Sequence, residues 1–217
     1  MSAFPGSPRL LRGGLVLVDP TTGKVLRIIA LQYNPDTLNR SLQIKGAGAE
    51  SGDHLEALRL KGPPVETIKV EAEIDATDAM EGNDAQTNQA GLHPQLAALE
   101  TIVYPQSAHL LANNAEASGG SLEIAPELAP LPLFVFGPKR IVPVRITEMS
   151  IVEEAFDAAL NPLRAKLGLT LRVLTVDDLG FDAKGGNLFM TYLQAKEGLA
   201  RQASGGSFAA LGIDGIP

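Results

Sequence analysis

The most regular pattern in the chain is an alternation of period two at residues 66–74, where Ile68, Val70, Ala72 and Ile74 interleave with Thr67, Lys69, Glu71 and Glu73. Successive side chains of a strand point to opposite faces, so this segment is expected to bury one face and turn the other to water or a partner. Leu167, Leu169, Leu171 and Val173 repeat the alternation and predict a second half-buried strand. Between residues 141 and 152 the apolar phase changes, with Val144 and Ile146 in one register and Met149 and Ile151 in the other. One extra residue near Thr147 and Glu148, a β-bulge, reconciles the two. Leu15–Val18 and Val25–Tyr33 flank Asp19-Pro20-Thr21-Thr22-Gly23-Lys24, where Pro and Gly supply the backbone angles that a hairpin needs. Leu133-Phe134-Val135-Phe136, stopped by Gly137-Pro138, adds a further strand.

Helical spacing occurs twice. Leu92, Leu96, Leu99 and Val103, with Pro94 in the first turn, predict a helix that ends near Val103. Leu188, Tyr192, Ala195 and Leu199 would share one face of a helix over residues 187–202. The remaining segments are expected to be irregular: loops at 46–53 and 75–91, a long irregular stretch at 106–132, an extended or bulged connection at 153–162, and a loose tail at 203–217. The strand expected at Val25–Tyr33 runs into Asn34-Pro35-Asp36-Thr37. Proline disfavours helix at the residue before it and cannot donate a ladder hydrogen bond, so the strand should stop there. Asn34, Asp36 and Thr37 then read as a turn whose short polar side chains bond nearby backbone groups. Together these elements predict a mainly β, α+β chain: a β-sandwich or barrel with a packed helix over residues 1–182, then a C-terminal helix and tail over 183–217.

Composition narrows the function. The 217 residues carry a net charge of −7, which disfavours nucleic acid as the partner because phosphate neutralisation needs clustered Lys and Arg. Aromatic residues are only 5% of the chain and Trp is absent, which disfavours a surface of stacked rings. With no cysteine, disulfides, thiolate catalysis and zinc–thiolate sites are excluded. Without an apolar run long enough to span a bilayer, or an N-terminal charged-then-apolar segment, the chain is expected to be soluble and cytoplasmic, with no membrane insertion.

Candidate chemistry is thin. His54, His93 and His109 share no metal-ligand spacing. Asp75, Asp78, Glu81, Asn83 and Asp84 bring oxygen ligands close in sequence but lack the rhythm and terminal Glu of a calcium loop. Glu153 and Glu154 are adjacent, so on a strand they face opposite ways and cannot pair as general acid and base. No serine sits in Gly-x-Ser-x-Gly, and Gly119-Gly120 and Gly185-Gly186 lack the ending of a phosphate loop. The expectation is a protein that is not an enzyme and uses no metal or cofactor.

Several segments, in order, resemble the tube-type baseplate proteins of contractile injection systems, many of which carry a LysM module. They are Leu31–Leu38, Ile68–Asp78, Leu96–Pro105 with its Ile102-Val103-Tyr104-Pro105 ending, Pro132–Gly137, Val142–Glu154, and Phe156–Ala165 containing Leu160-Asn161-Pro162-Leu163-Arg164-Ala165. Two departures stand out: Phe136 precedes Gly137 where Trp is common in that family, and no LysM-like module follows Thr175. The resemblance implies a tube-protein-like β-sandwich or barrel that assembles into a sixfold ring joining spike hub to inner tube. Its partners would be other copies of itself, the spike or hub protein, the inner tube protein and neighbouring baseplate or sheath components. An inner tube subunit or terminal cap of the same particle is the alternative, and a small-molecule-binding or hydrolytic β-barrel is the alternative of another class. Asn34, Pro35, Lys69, Glu71, Glu73, Asp75, Asp78, Glu153 and Glu154 are the expected assembly contacts.

Overall fold

A computed structural model of the protein describes residues 11–46, 58–77, 80, 85–119, 128–203 and 205–216. The chain is a mixed α+β protein built on a seven-stranded antiparallel sheet, in the order β2-β1-β5-β6-β7-β4-β3. β1 (Gly14–Val18) and β2 (Val25–Ala30) form the expected hairpin, but β2 stops at Ala30 and not at Tyr33, because residues 31–33 already belong to the bend. The hairpin's turn is held by Asp19, whose Oδ1 accepts from the N–H groups of Thr21 and Thr22 at 2.9 and 2.6 Å. β3 (Leu38–Gln43) pairs with β4 (Val65–Asp75), β4 with β7 (Pro162–Val173), and β5 (Leu131–Val135) lies between β1 and β6 (Ile141–Phe156).

β6 divides the sheet into two halves. Its first residues, Ile141–Pro143, pair with β5, and from Val144 onward it pairs with β7. The two halves share one core, in which Leu15 and Phe134 from one half meet Ile68, Val70, Leu169 and Leu171 from the other. The register shifts between Ile146 and Glu148, where the phase change predicted a bulge. Thr147, the extra residue, donates its hydroxyl to the carbonyl of Thr170 at 3.0 Å.

A helix closes each end of the folded sheet. At one end, α1 (Ala85–Ala90) and α2 (His93–Glu100) place Leu92, Leu96 and Leu99 against Ala76, Ala165 and the main core. Gly91 joins them with φ +55, and a Cβ there would stand 2.5 Å from the Pro162 carbonyl, so only glycine lets the Leu92 N–H reach that oxygen at 2.9 Å. At the other end, α4 (Val176–Leu179) and α5 (Lys184–Gln202) bury Phe189 and Tyr192 in the main core. Gly186 lies directly on the Gly180 carbonyl, a contact closed to any larger residue. α3 (Ser107–Ser118) lies between α2 and β5 in the chain and buries no residue.

Five expectations need correction. The stretch 106–132 contains α3, and the loop expected at 75–91 contains α1. α2 ends at Glu100, so Val103 is exposed rather than part of a buried stripe. Residues 153–156 and 162 are strand, which makes β6–β7 one long hairpin. Its five-residue turn is organised by Asp157, which accepts from the N–H groups of Ala159 and Asn161 at 2.8 Å each. The buried face of α5 is formed by Gly185, Phe189 and Tyr192; Ala195 and Leu199 are exposed. The loop expected at 46–53 lies outside the described residues after Gly46.

Candidate functional site

The outer face of β4, β7 and β6 gathers most of the expected contact residues. Because directly opposed residues share a face, the register builds four rows across the three strands: Lys69–Thr170–Glu148, Glu71–Gly168–Ser150, Glu73–Lys166–Val152 and Asp75–Arg164–Glu154. Charges alternate in sign across these rows and diagonally between them. Arg164 Nη2 lies 2.9 Å from Asp75 Oδ2, Lys166 Nζ lies 3.0 Å from Glu154 Oε1, and the Thr170 hydroxyl donates to Glu148 at 3.2 Å. The Ser150 hydroxyl occupies the space over Gly168 that a side chain would fill.

Beside this face the Leu31–Thr37 corner closes an open groove of ≈ 710 Å³, into which Asn34, Pro35, Glu71 and Glu73 all project surface. Lys69 sits farther along the same face. Glu153 is opposite Ala165 and therefore belongs to the other side of the sheet. Asp78 lies outside the described residues.

The corner is a structural clamp. Asn34 Oδ1 accepts from the Gly13 N–H at 2.9 Å, and its Nδ2 donates to the Leu11 carbonyl at 2.7 Å. These partners are distant in sequence, so the side chain ties the start of β1 to the corner rather than closing a local turn. Gln32 does the same for β4: it accepts from the Asp75 N–H at 2.7 Å and donates to the Asp75 carbonyl at 2.9 Å, mimicking a strand partner. Leu31 between them is buried in the main core. Asn34→Ala removes two backbone partnerships and is expected to cost about 1–2 kcal/mol, since each net hydrogen bond contributes about 1 kcal/mol. Urea unfolding with an unchanged m-value would measure it, and a loss below a few tenths of a kcal/mol would contradict the clamp.

Two charged groups of this face are stabilised in their ionised forms. Thr77's side-chain and backbone hydrogen bonds, aided by Arg164, keep the Asp75 carboxyl below the usual carboxylate range. The hydrogen bond to Glu154, with its charge, raises Lys166. Both shifts favour the ionised form, opposite to the tuning of a general acid or base. Among the described residues no group of three or more His, Asp or Glu side chains is placed to hold a metal ion. His109 is a bonding neighbour of Asn113 at 3.1 Å on α3, and His93 opens α2.

A second, larger cleft of ≈ 1260 Å³ lies on the other side of the corner, between Ala30–Asn34 and α2. Its walls are mostly aliphatic, and Arg27 spans it, donating to the Ala98 carbonyl at 3.0 Å and the Thr101 hydroxyl at 2.9 Å.

Glu66 is the functional-looking residue that pattern reading passes over. It occupies the apolar phase of β4, one step before Ile68, and is buried. Arg40 from β3 lies 2.6 Å from Oε1, Lys196 from α5 lies 2.9 Å from Oε2, and the Tyr192 hydroxyl donates to Oε1 at 3.3 Å. Lys196 Nζ also stands 4.1 Å from the centre of the Tyr192 ring, a cation–π contact. The only signal in the sequence is a carboxylate standing in phase with Ile68, Val70 and Ala72.

No protein-family model and no curated protein matches the chain. No helix among the described residues is long and apolar enough to cross a membrane.

Proposed function

We propose that this protein is a structural, non-catalytic subunit with a tube-protein-like fold, forming a ring in the baseplate of a contractile injection particle and joining spike hub to inner tube. The observation that carries the reading is a sheet left open at both ends. β2 and β3 are its edges, each paired on one side only among the described residues, and they present exposed Leu26, Ile28 and Leu42. Such edges are a liability in a lone molecule and become joints when a neighbouring copy pairs with them. A contact from one edge to the other is heterologous, the kind that builds a ring when its rotation closes. The segments that resemble the family fall in order on the Leu31–Thr37 corner, β4, α2, β5, β6 and the β6–β7 turn, the elements that build the open sheet and its charged outer face.

Electron cryo-microscopy of particles captured through a tag on this chain tests the reading directly. A ring of this chain between spike and tube is the expected result; a copy number matching a stacked tube would make it a tube subunit instead. Full-length, contraction-competent particles from cells lacking the gene would rule the role out. The charged outer face is expected to act in assembly and not in folding. Glu71→Gln combined with Glu73→Gln should leave stability within about 0.5 kcal/mol, as for other exposed sites, while lowering incorporation into particles. Wild-type incorporation of that double variant would remove the face from the contact.

A further inference from the structure

The C-terminal segment is built but uncovered. Phe208–Leu211 form a 3₁₀ turn, with the Ser207 hydroxyl accepting from the Ala210 N–H at 3.2 Å. Gly212 turns left-handed at φ +71, and the Ile213 N–H returns to the Phe208 carbonyl at 3.2 Å. The tail expected to be loose therefore carries its own ordered turn. Yet its apolar side chains face water: Phe208 is 48% exposed, Leu211 73%, Ile213 44% and Ile216 80%. A preformed turn that displays apolar groups has already met part of the ordering cost of binding.

The opposite end of the molecule carries the complement. The ≈ 1260 Å³ cleft beside α2 is walled by Ile29, Ile74, Leu92 and Leu99, and its charged lining groups are Arg12, Arg27, Asp36 and Asp75, of which Arg27 bonds to Ala98 and Thr101 and Asp75 pairs with Arg164. Arg12 takes part in no ion pair among the described residues. Asp214, inside the apolar tail, supplies the opposite charge. In the folded chain no described residue of the tail lines the cleft. The helix that precedes the tail is anchored by Lys196 to Glu66, at the start of β4, whereas the cleft lies at Ile74–Ala76, beyond the other end of that strand. Nine residue steps along β4 lead from Glu66 to Asp75, about 30 Å. α5, which leads into the tail, is anchored at one end of β4 and the cleft opens at the other.

We infer that Ser207–Ile216 of one copy docks in this cleft on the next copy, with Phe208, Leu211 and Ile213 against its aliphatic walls and Asp214 against Arg12. The contact is head-to-tail and repeats from copy to copy. It rests on the ring reading for the presence of a neighbour and adds to the edge strands a second joint.

Sedimentation velocity of the purified full-length chain over a wide concentration range tests it. Asp214→Arg and Arg12→Glu are each expected to weaken self-association by about tenfold or more, because like charges then face each other, and the two changes together should restore it. Phe208→Asp with Leu211→Asp should abolish the contact while leaving the circular dichroism spectrum and melting temperature unchanged, since both residues are exposed. Undiminished self-association of that tail variant would overturn the docking and leave the ring reading intact. Charge variants that weaken assembly without mutual rescue would overturn the pairing of Asp214 with Arg12. A wild-type chain that stays monomeric throughout would overturn the docking together with the self-assembly beneath it.

Discussion

Phe134→Ala is expected to destabilise the protein by about 3–5 kcal/mol, the range for deleting a buried phenylalanine. Phe134 is buried at 1% exposure on β5, opposite Leu15 of β1 and Val142 of β6, and its ring stacks on Phe136 with centroids 5.9 Å apart. It stands where the two halves of the sheet meet one core, so the lost volume is walled by both. Neither half can collapse into the void without moving the other, which places the cost in the upper part of the range. Against a typical total of about 5–15 kcal/mol, this is a large share. At roughly 2–4 °C per kcal/mol for a chain of this size, the melting temperature should fall by about 10 °C or more. Phe156→Ala is the control: that ring, on the β6–β7 hairpin, is half exposed. It should lose less than about 1 kcal/mol, because much of its surface stays in water in the native state. Equal losses for the two variants would mean that the two halves do not share a core.

Glu66→Ala should have the second largest effect, about 3 kcal/mol. Removing one member of a buried ion pair strands its partners and costs about 3–5 kcal/mol. The lower end applies here because the cations keep some access to water: the side chains of Arg40 and Lys196 are 27% and 35% exposed. The loss should be concentrated at the α5 end of the molecule, where Glu66 joins β3, β4 and α5. Hydrogen exchange in α5 should rise more than in β7. Replacing Glu66, Arg40 and Lys196 together by leucine removes every stranded charge and should recover much of the stability, since apolar replacement of a whole buried network is often neutral. A triple variant no more stable than Glu66→Ala would contradict this account.

The same residue gives the protein an acid limb. Burial pushes the Glu66 carboxyl up, but the hydrogen bonds and charges of Lys196 and Arg40 outweigh it and hold the group below its usual value. Asp178 behaves alike: burial raises it, and the Thr175 N–H with Arg172 brings it down. A carboxyl with a lower pKa folded than unfolded is protonated first in the unfolded chain, so the unfolded state binds more protons and stability rises with pH. The contribution is fully present above the unfolded value of about 4.3 for Glu and is lost as pH falls through the folded one. Glu66→Ala should flatten stability against pH in that acid window and leave it unaltered near neutrality apart from the constant loss.

What the sequence determined by itself was the set of elements with one wet face and one dry face. Ile68, Val70 and Ala72 on β4, Leu167–Val173 on β7 and the phase change at Thr147 are legible because burial on one side imposes a period of two, and an inserted residue breaks it. Leu92, Leu96 and Leu99 are legible for the same reason at a period of 3.6. α3 was not, because it buries nothing and so carries no apolar stripe to detect. Nor was the far end of the β6–β7 hairpin, where Val152, Glu153 and Phe156 are all exposed.

Tertiary structure alone decided which polar residues matter. Asn34 reads as a local turn former, but its partners, Gly13 and Leu11, are brought to it by the β1–β2 hairpin. Glu66 draws its partners from residues 40, 192 and 196, a separation that no spacing rule connects. Asn34, Pro35, Glu71 and Glu73 meet around one groove only because the corner folds back beside β4. Hydrophobic periodicity is local and survives in one dimension, whereas a charge finds its counter-charge across the fold.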